Sequence, residues 1–153
     1  MKIGVISDTH GHFDPKIPEL FAGVEHILHG GDVGHYSILA QLEQIAAVTA
    51  VLGNNDFGFD LRETEVVALG AMKFFLRHIV TPTSPAEPLR ARLEREQPDV
   101  VVFGHTHVAF CGRVGRTLFF NPGYAGRARF KLVRSVALLE IGAGEISTRV
   151  IAL

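Results

Sequence analysis

Seven side chains that suit metal ligation occur along the chain, each shortly after a run of apolar residues. They are Asp8, His10, Asp32, Asn54, His78, His105 and His107. Carboxylate oxygens and imidazole nitrogens together suit divalent manganese, iron, cobalt, nickel and zinc. Seven ligands are too many for one tetrahedral ion, but they suit two ions that share a carboxylate. Such a pair of ions clamps a phosphoryl group and activates water near neutral pH, so the residue types indicate phosphoester chemistry.

Two pairs of these residues, Asp8 with His10 and His105 with His107, are separated by a single residue. Residues i and i+2 of an extended segment point to the same side, so each pair is predicted to chelate an ion. Glycines that lie beside the motifs are Gly31, Gly53 and Gly104. Because glycine lacks a Cβ atom, it permits tight turns and a close approach of the backbone to an anion.

Apolar runs of strand length precede these motifs. The runs are Ile3–Ile6, His26–Leu28, Val48–Leu52, Val66–Leu69, Met72–Leu76, Val100–Phe103, Val108–Val114, Leu118–Phe120, Val136–Ile141 and Ile146–Ile151. Several do not alternate with polar residues, which is typical of strands covered on both faces. In open α/β sheets the ligand crevice lies at the carboxyl ends of the strands, which is where the polar residues occur here. We therefore expect the seven side chains to meet at one place.

Helical apolar spacing lies between the strands, over residues 15–22, 35–46 and 85–97. In the third segment, Ser84 is the predicted N-cap, with Pro85 at the first helical position and Glu87 as the capping-box residue. Strands and helices alternate early in the chain, and strands dominate after residue 99. This order predicts an α/β fold, with mixed sheets in a sandwich and helices outside.

The composition suits a single domain over residues 1–153, because 47% of the residues are hydrophobic and only 20% are charged. No apolar run approaches the length of a membrane span, and the N-terminal segment lacks the features of a signal peptide. The single Cys111 cannot form an internal disulfide, which fits a reducing compartment. We therefore expect a cytoplasmic protein without a membrane partner. Cys111 lies in mid-strand and is predicted to be buried and inert.

The net charge of −1 hides a gradient along the chain. Residues 1–60 carry eight acids and two bases, whereas residues 113–153 carry two acids and seven bases. This gradient has two interpretations, a cation site and an anion site on one surface, or an unevenly charged solvated surface. The basic segment has few interleaved aromatic residues and no recognised motif, so no nucleic-acid groove is expected.

The motifs in order resemble the calcineurin-like metallophosphoesterase superfamily, whose pattern is D-x-H, G-D, G-N-x-[DE], H and G-H-x-H. They occur here as Asp8-Thr9-His10, Gly31-Asp32, Gly53-Asn54-Asn55-Asp56, His78 and Gly104-His105-Thr106-His107. The short chain and the later Asn121-Pro122-Gly123 are similar to the small bacterial and archaeal phosphodiesterase branch. The resemblance extends from residue 3 to about residue 129. It implies a four-layer αββα sandwich of two mixed β-sheets flanked by helices.

The resemblance also implies two divalent metal ions, with manganese favoured and nickel, iron, cobalt or zinc as alternatives. The first ion would be held by Asp8, His10, Asp32 and His107, and the second by Asp32, Asn54, His78 and His105. Asp32 would bridge the ions, and a metal-bridging hydroxide would attack phosphorus in line. Asn54 would also contact the phosphate, and Asp56 would orient the site from behind. Asp32, Asn54 and Asp56 are thus the expected catalytic set.

The expected substrate-binding residues are Asn54, Asn55, His12, Arg127 and Tyr124. Many superfamily enzymes have histidine where this chain has Asn55, which hydrogen-bonds but supplies no proton at neutral pH. The small branch commonly reads His-Gly-His where this chain reads His78-Ile79-Val80, so one polar contact is absent and that edge of the site is more apolar. Tyr124 replaces a serine and would narrow the pocket or stack on an aromatic group. For His12 and Arg127 the alternative is a solvated surface position.

The leading hypothesis is a phosphodiesterase acting on small phosphodiesters. A phosphomonoesterase or nucleotidase is the first alternative, since Arg127 near the metals would bind the extra charge of a monoester. A second alternative is a protein-binding scaffold, because a eukaryotic trafficking subunit of this fold uses its surface for protein contacts. Self-association into a homo-oligomer is left open.

Overall fold

Two five-stranded β-sheets form most of the structure, which is a computed structural model describing residues 1–129 and 131–153. In chain order the strands are β1 (Lys2–Ile6), β2 (His26–His29), β3 (Ala47–Ala50), β4 (Thr64–Leu69), β5 (Met72–Arg77), β6 (Val100–Val102), β7 (Phe110–Val114), β8 (Thr117–Asn121), β9 (Ser135–Gly142) and β10 (Glu145–Ala152). The first sheet has the order β10-β9-β1-β2-β3, and the second has the order β4-β5-β6-β8-β7. Each sheet combines parallel and antiparallel pairs, so both are mixed as predicted.

Three helices cover the outer faces of the two sheets in the described part of the chain. They are α1 (Ile17–Leu20), α2 (Tyr36–Glu43) and α3 (Leu89–Glu96). Buried side chains of α1 and α2 pack with outward residues of the first sheet. Leu89 and Leu93 of α3 pack against the second sheet. A third apolar cluster fills the space between the sheets, which confirms the expected four-layer αββα sandwich.

Alternate residues of the central strands belong to different apolar layers. Phe74 and Leu76 of β5 face the space between the sheets, whereas Phe75 faces α3. Ile3 of β1 points inward, and Ile6 points to the helices on the other side. Because both faces of these strands are buried, neither face needs polar residues. This explains the non-alternating apolar runs and confirms the prediction made from them.

The parallel strands bring the loops with the polar motifs together. Strands β1, β2 and β3 are parallel to one another, and so are β5, β6 and β8. The loops that follow β1, β2, β3, β5 and β6 carry the seven predicted ligands. Each sheet therefore contributes ligands from the carboxyl ends of its strands, as the rule for α/β sheets predicts.

The third helix is shorter than predicted, and its predicted N-cap is wrong. It begins at Leu89 and has Pro88 at the N-cap position, where no side chain accepts a capping hydrogen bond. A residue before proline is disfavoured in the α region, so Glu87 does not continue a helix into Pro88. The Glu87 carboxylate instead pairs with Arg90 in the first turn, with Oε1 and Nε 2.7 Å apart. Gln97 ends the helix in the left-handed conformation, just before Pro98.

The prediction that Cys111 is buried is also wrong, since its thiol is exposed. Cys111 lies on β7, which is at the edge of the second sheet and pairs only with β8. Most of β7 is exposed on both faces. In the described residues, no helix has both the length and the apolar character needed to cross a membrane.

His29 at the end of β2 is a completely buried, neutral residue beneath the loops of the site. Its Nδ1 accepts a hydrogen bond from the Gly31 amide at 3.2 Å, so the ring proton is on Nε2. Nε2 then donates to Thr9 Oγ1 at 3.0 Å, and Thr9 Oγ1 donates to the Val33 carbonyl at 2.9 Å. Burial lowers the pKa of His29 to about 4. The ring therefore connects three segments only in its neutral form.

This burial predicts an acid-sensitive contribution to stability. Between pH 6.5 and about pH 4 the unfolded chain binds a proton at His29 that the folded chain does not. The free energy of unfolding should therefore decrease as the pH is lowered through this window, by up to about 3 kcal/mol from this group. His29→Gln, which has no such proton, should show a shallower fall. Denaturant unfolding from pH 4 to 7, with chelator in both samples, measures the two slopes, and parallel curves would contradict the prediction.

Candidate metal centre

The loops that carry the ligands use an uncommon backbone conformation. Among the described residues, eight non-glycine residues have positive φ, and five of these are predicted metal ligands. The five are Asp8 (55°), His10 (46°), Asp32 (53°), His105 (69°) and His107 (58°). The expectation that Asp8 and His10 lie on one side of an extended segment is therefore wrong. They are brought together by left-handed turns, and such strained positions concentrate at functional sites.

The first ligand cluster contains Asp8, His10 and His107, whose candidate ligand atoms lie within 4.8 Å of one another. His107 Nε2 is 3.2 Å from Asp8 Oδ1 and 3.4 Å from His10 Nε2. Asp8 and His10 follow β1 of the first sheet, whereas His107 follows β6 of the second sheet. The cluster therefore joins the two sheets.

The second cluster contains Asp8, Asp32 and His78. His78 Nε2 is 3.4 Å from Asp32 Oδ2 and 3.9 Å from Asp8 Oδ1. Asp32 Oδ2 is also 3.7 Å from His10 Nε2, so this one oxygen lies between a histidine of each cluster. His78 Nδ1 donates to the Gly30 carbonyl at 2.7 Å, which leaves Nε2 with its lone pair toward the carboxylates.

The donor set fits divalent cations. Asp8 Oδ1 and His78 Nε2 are buried and have no hydrogen-bond partner within the described protein. Leaving buried polar groups unpaired costs free energy, so groups of this kind mark a functional position. Both atoms face the centre of the ligand clusters, where carboxylate oxygens and imidazole nitrogens suit borderline transition metals. The donation from His78 to a backbone carbonyl is also the usual arrangement of a metal-binding histidine.

The two central carboxylates have opposite pKa shifts. Burial raises the pKa of Asp8, although the hydroxyl of Ser7 donates to its Oδ2 at 2.7 Å and His78 and His107 lie nearby. Burial would also raise the pKa of Asp32, but His78 and two hydrogen bonds from Asn55 outweigh it and hold that pKa below its usual range. Asp32 is therefore an anion at any physiological pH, and a nearby cation favours the same state for Asp8.

Two glycines permit the backbone to press against these carboxylates. A Cβ atom on Gly53 would collide with the amide and carboxylate of Asp32. A Cβ atom on Gly104 would lie 2.6 Å from Asp8 Oδ2 and would also collide with Ser7. These glycines therefore allow the backbone to approach the carboxylates of Asp32 and Asp8 closely.

Asn54 and His105 form a pair beside the second cluster. His105 Nδ1 donates to Asn54 Oδ1 at 2.9 Å, because an amide oxygen only accepts. The His105 and His78 rings meet edge to face with centroids 5.4 Å apart. Asn54 and His105 are exposed, in contrast to the buried Asp32 and His78. All seven predicted ligands thus surround one region, with this pair at its open side.

Asp56 and Asn55 contact the loops of the site rather than its open side. Asp56 accepts hydrogen bonds from the amides of Val33 at 3.0 Å, Gly34 at 2.8 Å and Gly53 at 2.9 Å. These bonds tie its loop to the turn that contains Asp32. Asn55 donates to Asp32 through its amide at 2.8 Å and its side chain at 2.7 Å. The structure therefore gives Asn55 a role in orienting Asp32, where the sequence predicts a substrate contact.

Tyr124 differs from its expected position facing the substrate, because it is completely buried. Its ring packs behind two ligand rings, with centroids 4.7 Å from His107 and 6.0 Å from His10. A parallel bridge to Arg134 and a hydrogen bond from the Ala125 amide to the Ser7 carbonyl hold this segment against the first sheet. These contacts turn the Tyr124 side chain inward.

His12 and Arg127 lie on two neighbouring loops. Burial, followed by the charges of Arg134 and Arg127, lowers the pKa of His12. Arg134 joins the two loops, because it donates to Asp14 Oδ2 and to the Gly126 carbonyl, both at 2.6 Å. Arg127 itself is exposed. This arrangement allows an anion to approach the loops, but it gives Arg127 no fixed contact with the ligand clusters.

Ser7 and Asn121 support the site and had no assigned role in the sequence analysis. Asn121 is buried, and its Nδ2 donates to the Gly104 carbonyl at 2.9 Å and to Thr106 Oγ1 at 3.1 Å. It therefore holds the loop that contains His105 and His107. The Asn-Pro-Gly turn was a signal for Asn121, whereas the position of Ser7 beside Asp8 carried no comparable pattern.

Proteins similar to this chain are named as a probable metallophosphoesterase and as a phosphodiesterase. A probable metallophosphoesterase of Methanocaldococcus jannaschii is 37% identical over 130 residues, covering 80% of this chain and 67% of its own length. A protein of the same organism named as a phosphodiesterase is 31% identical over 142 residues, covering 80% of this chain and 83% of its own length.

A solved structure also matches the fold along its whole length. Vps29 complexed with zinc, from Entamoeba histolytica, has a TM-score of 0.76 and 27% identity, covering 99% of each chain. The family described as the calcineurin-like phosphoesterase superfamily domain matches residues 1–144, which include every ligand of both clusters. With its fold, its ligand loops and these relatives in agreement, the chain belongs to the calcineurin-like phosphoesterase superfamily.

Proposed function

We propose that this protein is a metal-dependent phosphoesterase that hydrolyses small phosphodiesters. The observation that carries the proposal is the convergence of two carboxylates and three imidazoles, with Asp8 Oδ1 and His78 Nε2 buried and unpaired among them. The related protein named as a phosphodiesterase supports the choice of a diester. The free, exposed Cys111 supports a reducing, cytoplasmic location.

We assign one ion to Asp8, His10, Asp32 and His107. The second ion is assigned to Asp32, Asn54, His78 and His105. Two divalent cations held there would supply Lewis acidity toward phosphate oxygens and would lower the pKa of water to near neutrality, with manganese the favoured metal. Asp32 is the proposed bridge, which is supported by its Oδ2 lying 3.7 Å from His10 Nε2 and 3.4 Å from His78 Nε2. Asn54, on the open side, is the residue proposed to contact both metal and phosphate.

The residues near the centre offer little help to a leaving group that needs a proton. Asn55 donates its side-chain N–H to Asp32 and has no acidic proton. The lowered pKa of His12 makes its ring neutral at pH 7, so it is a poor proton donor there. Diesters with good leaving groups, or leaving groups protonated by solvent, are therefore the favoured substrates.

Arg127 is the observation that keeps a phosphomonoesterase as a second candidate. Its exposed guanidinium lies near His12 and would bind the extra negative charge of a monoester. The ratio of kcat/KM for p-nitrophenyl phosphate and its bis ester separates the two activities.

Hydrolysis of bis-p-nitrophenyl phosphate is the first test. We expect turnover with Mn²⁺ or Ni²⁺, loss of turnover on adding chelator, and recovery when metal is restored. Asp32→Asn should reduce turnover below detection, because a neutral amide is a poor bridge between two cations. Asp60→Asn changes an exposed acid of the loop between β3 and β4, is the matched control and should retain activity. Absence of chelator-sensitive turnover with every metal would refute the enzyme proposal.

Asp56→Asn tests the positioning role of Asp56 through metal affinity rather than activity. An amide cannot accept the three backbone hydrogen bonds that the carboxylate accepts, so the turn with Asp32 should lose its fixed position. We expect Mn²⁺ affinity to fall by about 10- to 100-fold. Calorimetric titration measures the change. Affinity equal to that of Asp60→Asn would show that Asp56 does not position the site.

The similarity to Vps29 makes a non-catalytic scaffold the remaining alternative, and metal content addresses it. An enzyme with the assigned ligands should contain two equivalents of metal per chain when purified without chelator. Elemental analysis of the purified protein provides the count. Two equivalents without any turnover would favour the scaffold, whereas fewer than one would argue against the assigned ligands.

A further inference from the structure

A cleft of about 320 Å³ lies directly beside the metal centre. Its lining includes Asn54 and His78, together with Phe57, Ile79, Glu63 and Arg77, and we name it the Phe57–Ile79 cleft. We propose that this cleft binds the nucleoside group of a phosphoester whose phosphate is held at the metal centre. The proposal rests on the proposed function, and it adds the class of substrate.

The apolar side chains of the cleft are exposed but are attached to fixed backbone. Phe57 is 83% exposed and directly follows Asp56, whose carboxylate accepts three backbone hydrogen bonds. Ile79 is 47% exposed and directly follows His78, which donates to Gly30. Large exposed apolar side chains beside a polar centre favour contact with a ligand. A planar ring that packs on Phe57 and Ile79 would remove both from water.

The lining of the cleft also includes hydrogen-bonding groups, which form a polar part of its wall. Arg77 Nη1 is 3.7 Å from Glu63 Oε2, which is longer than a hydrogen bond, and 3.3 Å from Thr64 Oγ1. A guanidinium has five N–H donors and a carboxylate accepts several hydrogen bonds, so both groups retain capacity for a ligand. Nucleobases present donors and acceptors at the edge of an aromatic ring. A plain aryl group would leave this polar wall unused.

The size of the cleft and the charge of the chain favour one nucleoside over a polymer. About 320 Å³ is at the lower end of the range for small-molecule sites. A polynucleotide groove would need a continuous basic surface, whereas Glu63 and Arg77 here are paired and the net charge of the chain is −1. The cleft therefore suits a single base beside the phosphate.

Binding of two uncleavable ligands to the manganese-loaded protein tests the proposal. The ligands are the methylenephosphonate analogues of AMP and of ribose 5-phosphate, which share the phosphonate but differ in the base. Calorimetry should show the AMP analogue binding about tenfold more tightly, as expected for one base stacked on an aromatic ring. Phe57→Ala should remove this preference and leave the affinity for the ribose analogue unchanged.

Two further variants separate stacking from a general loss of apolar surface. Phe57→Tyr keeps an aromatic ring and should keep the preference for the AMP analogue. Val114→Ala removes another exposed apolar side chain, which lies on β7 outside the cleft, and should change neither affinity. Thermal unfolding of each variant checks that the fold is retained, which is expected because Phe57 is mostly exposed.

The outcomes distinguish this proposal from the proposed function. Equal affinities for the two analogues in the wild-type protein would overturn the nucleoside cleft and leave the phosphoesterase proposal intact. A preference that survives in the double variant Phe57→Ala, Ile79→Ala would also overturn it. Failure of both analogues to bind the metal-loaded protein would likewise overturn the nucleoside cleft, whereas chelator-sensitive hydrolysis of bis-p-nitrophenyl phosphate tests the phosphoesterase proposal separately.

Discussion

The buried carboxylate of Asp8 is the group through which the two halves of the site interact. It is completely buried, and a buried charge is costly unless it is paired and hydrogen-bonded. Its Oδ2 accepts hydrogen bonds from the Ser7 hydroxyl at 2.7 Å and from the His105 amide at 3.1 Å. Because His105 follows a strand of the second sheet and Asp8 follows a strand of the first, one carboxylate connects the two sets of loops. Its other oxygen is left facing His107 and His78.

The need to pair and hydrogen-bond buried carboxylates also explains why the backbone around the site is so restricted. Five ligand residues have left-handed conformations, and each such position has a conformational cost of order 1–3 kcal/mol. Gly53 and Gly104 allow the chain to approach Asp32 and Asp8 more closely than any side chain would permit. The hydrogen bonds of Asp56 and Asn121 fix the loops in these conformations. The apolar layers beneath provide the strands from which the loops begin, and these contacts together hold the candidate ligands in place.

The fold and the convergence of the seven candidate ligands could be predicted from the sequence because their signals are local. Doubly buried strands produce continuous apolar runs, and each ligand follows such a run at a strand end. Contacts between distant segments leave no such pattern. Tyr124 faces inward because of a bridge to Arg134, and Cys111 is exposed because its strand is at an edge. The role of Asn55 depends on its position 2.7 Å from Asp32, which the residue type does not reveal.

Because both sheets contribute to each candidate ligand cluster, cation binding would affect the folding stability of the protein. A cation that binds only the folded chain would act as a cross-link between the two halves of the sandwich. Each tenfold rise in free metal above the dissociation constant would then add about 1.4 kcal/mol to folding stability. A higher metal supply would then protect the folded chain from proteolysis and raise the abundance of the protein.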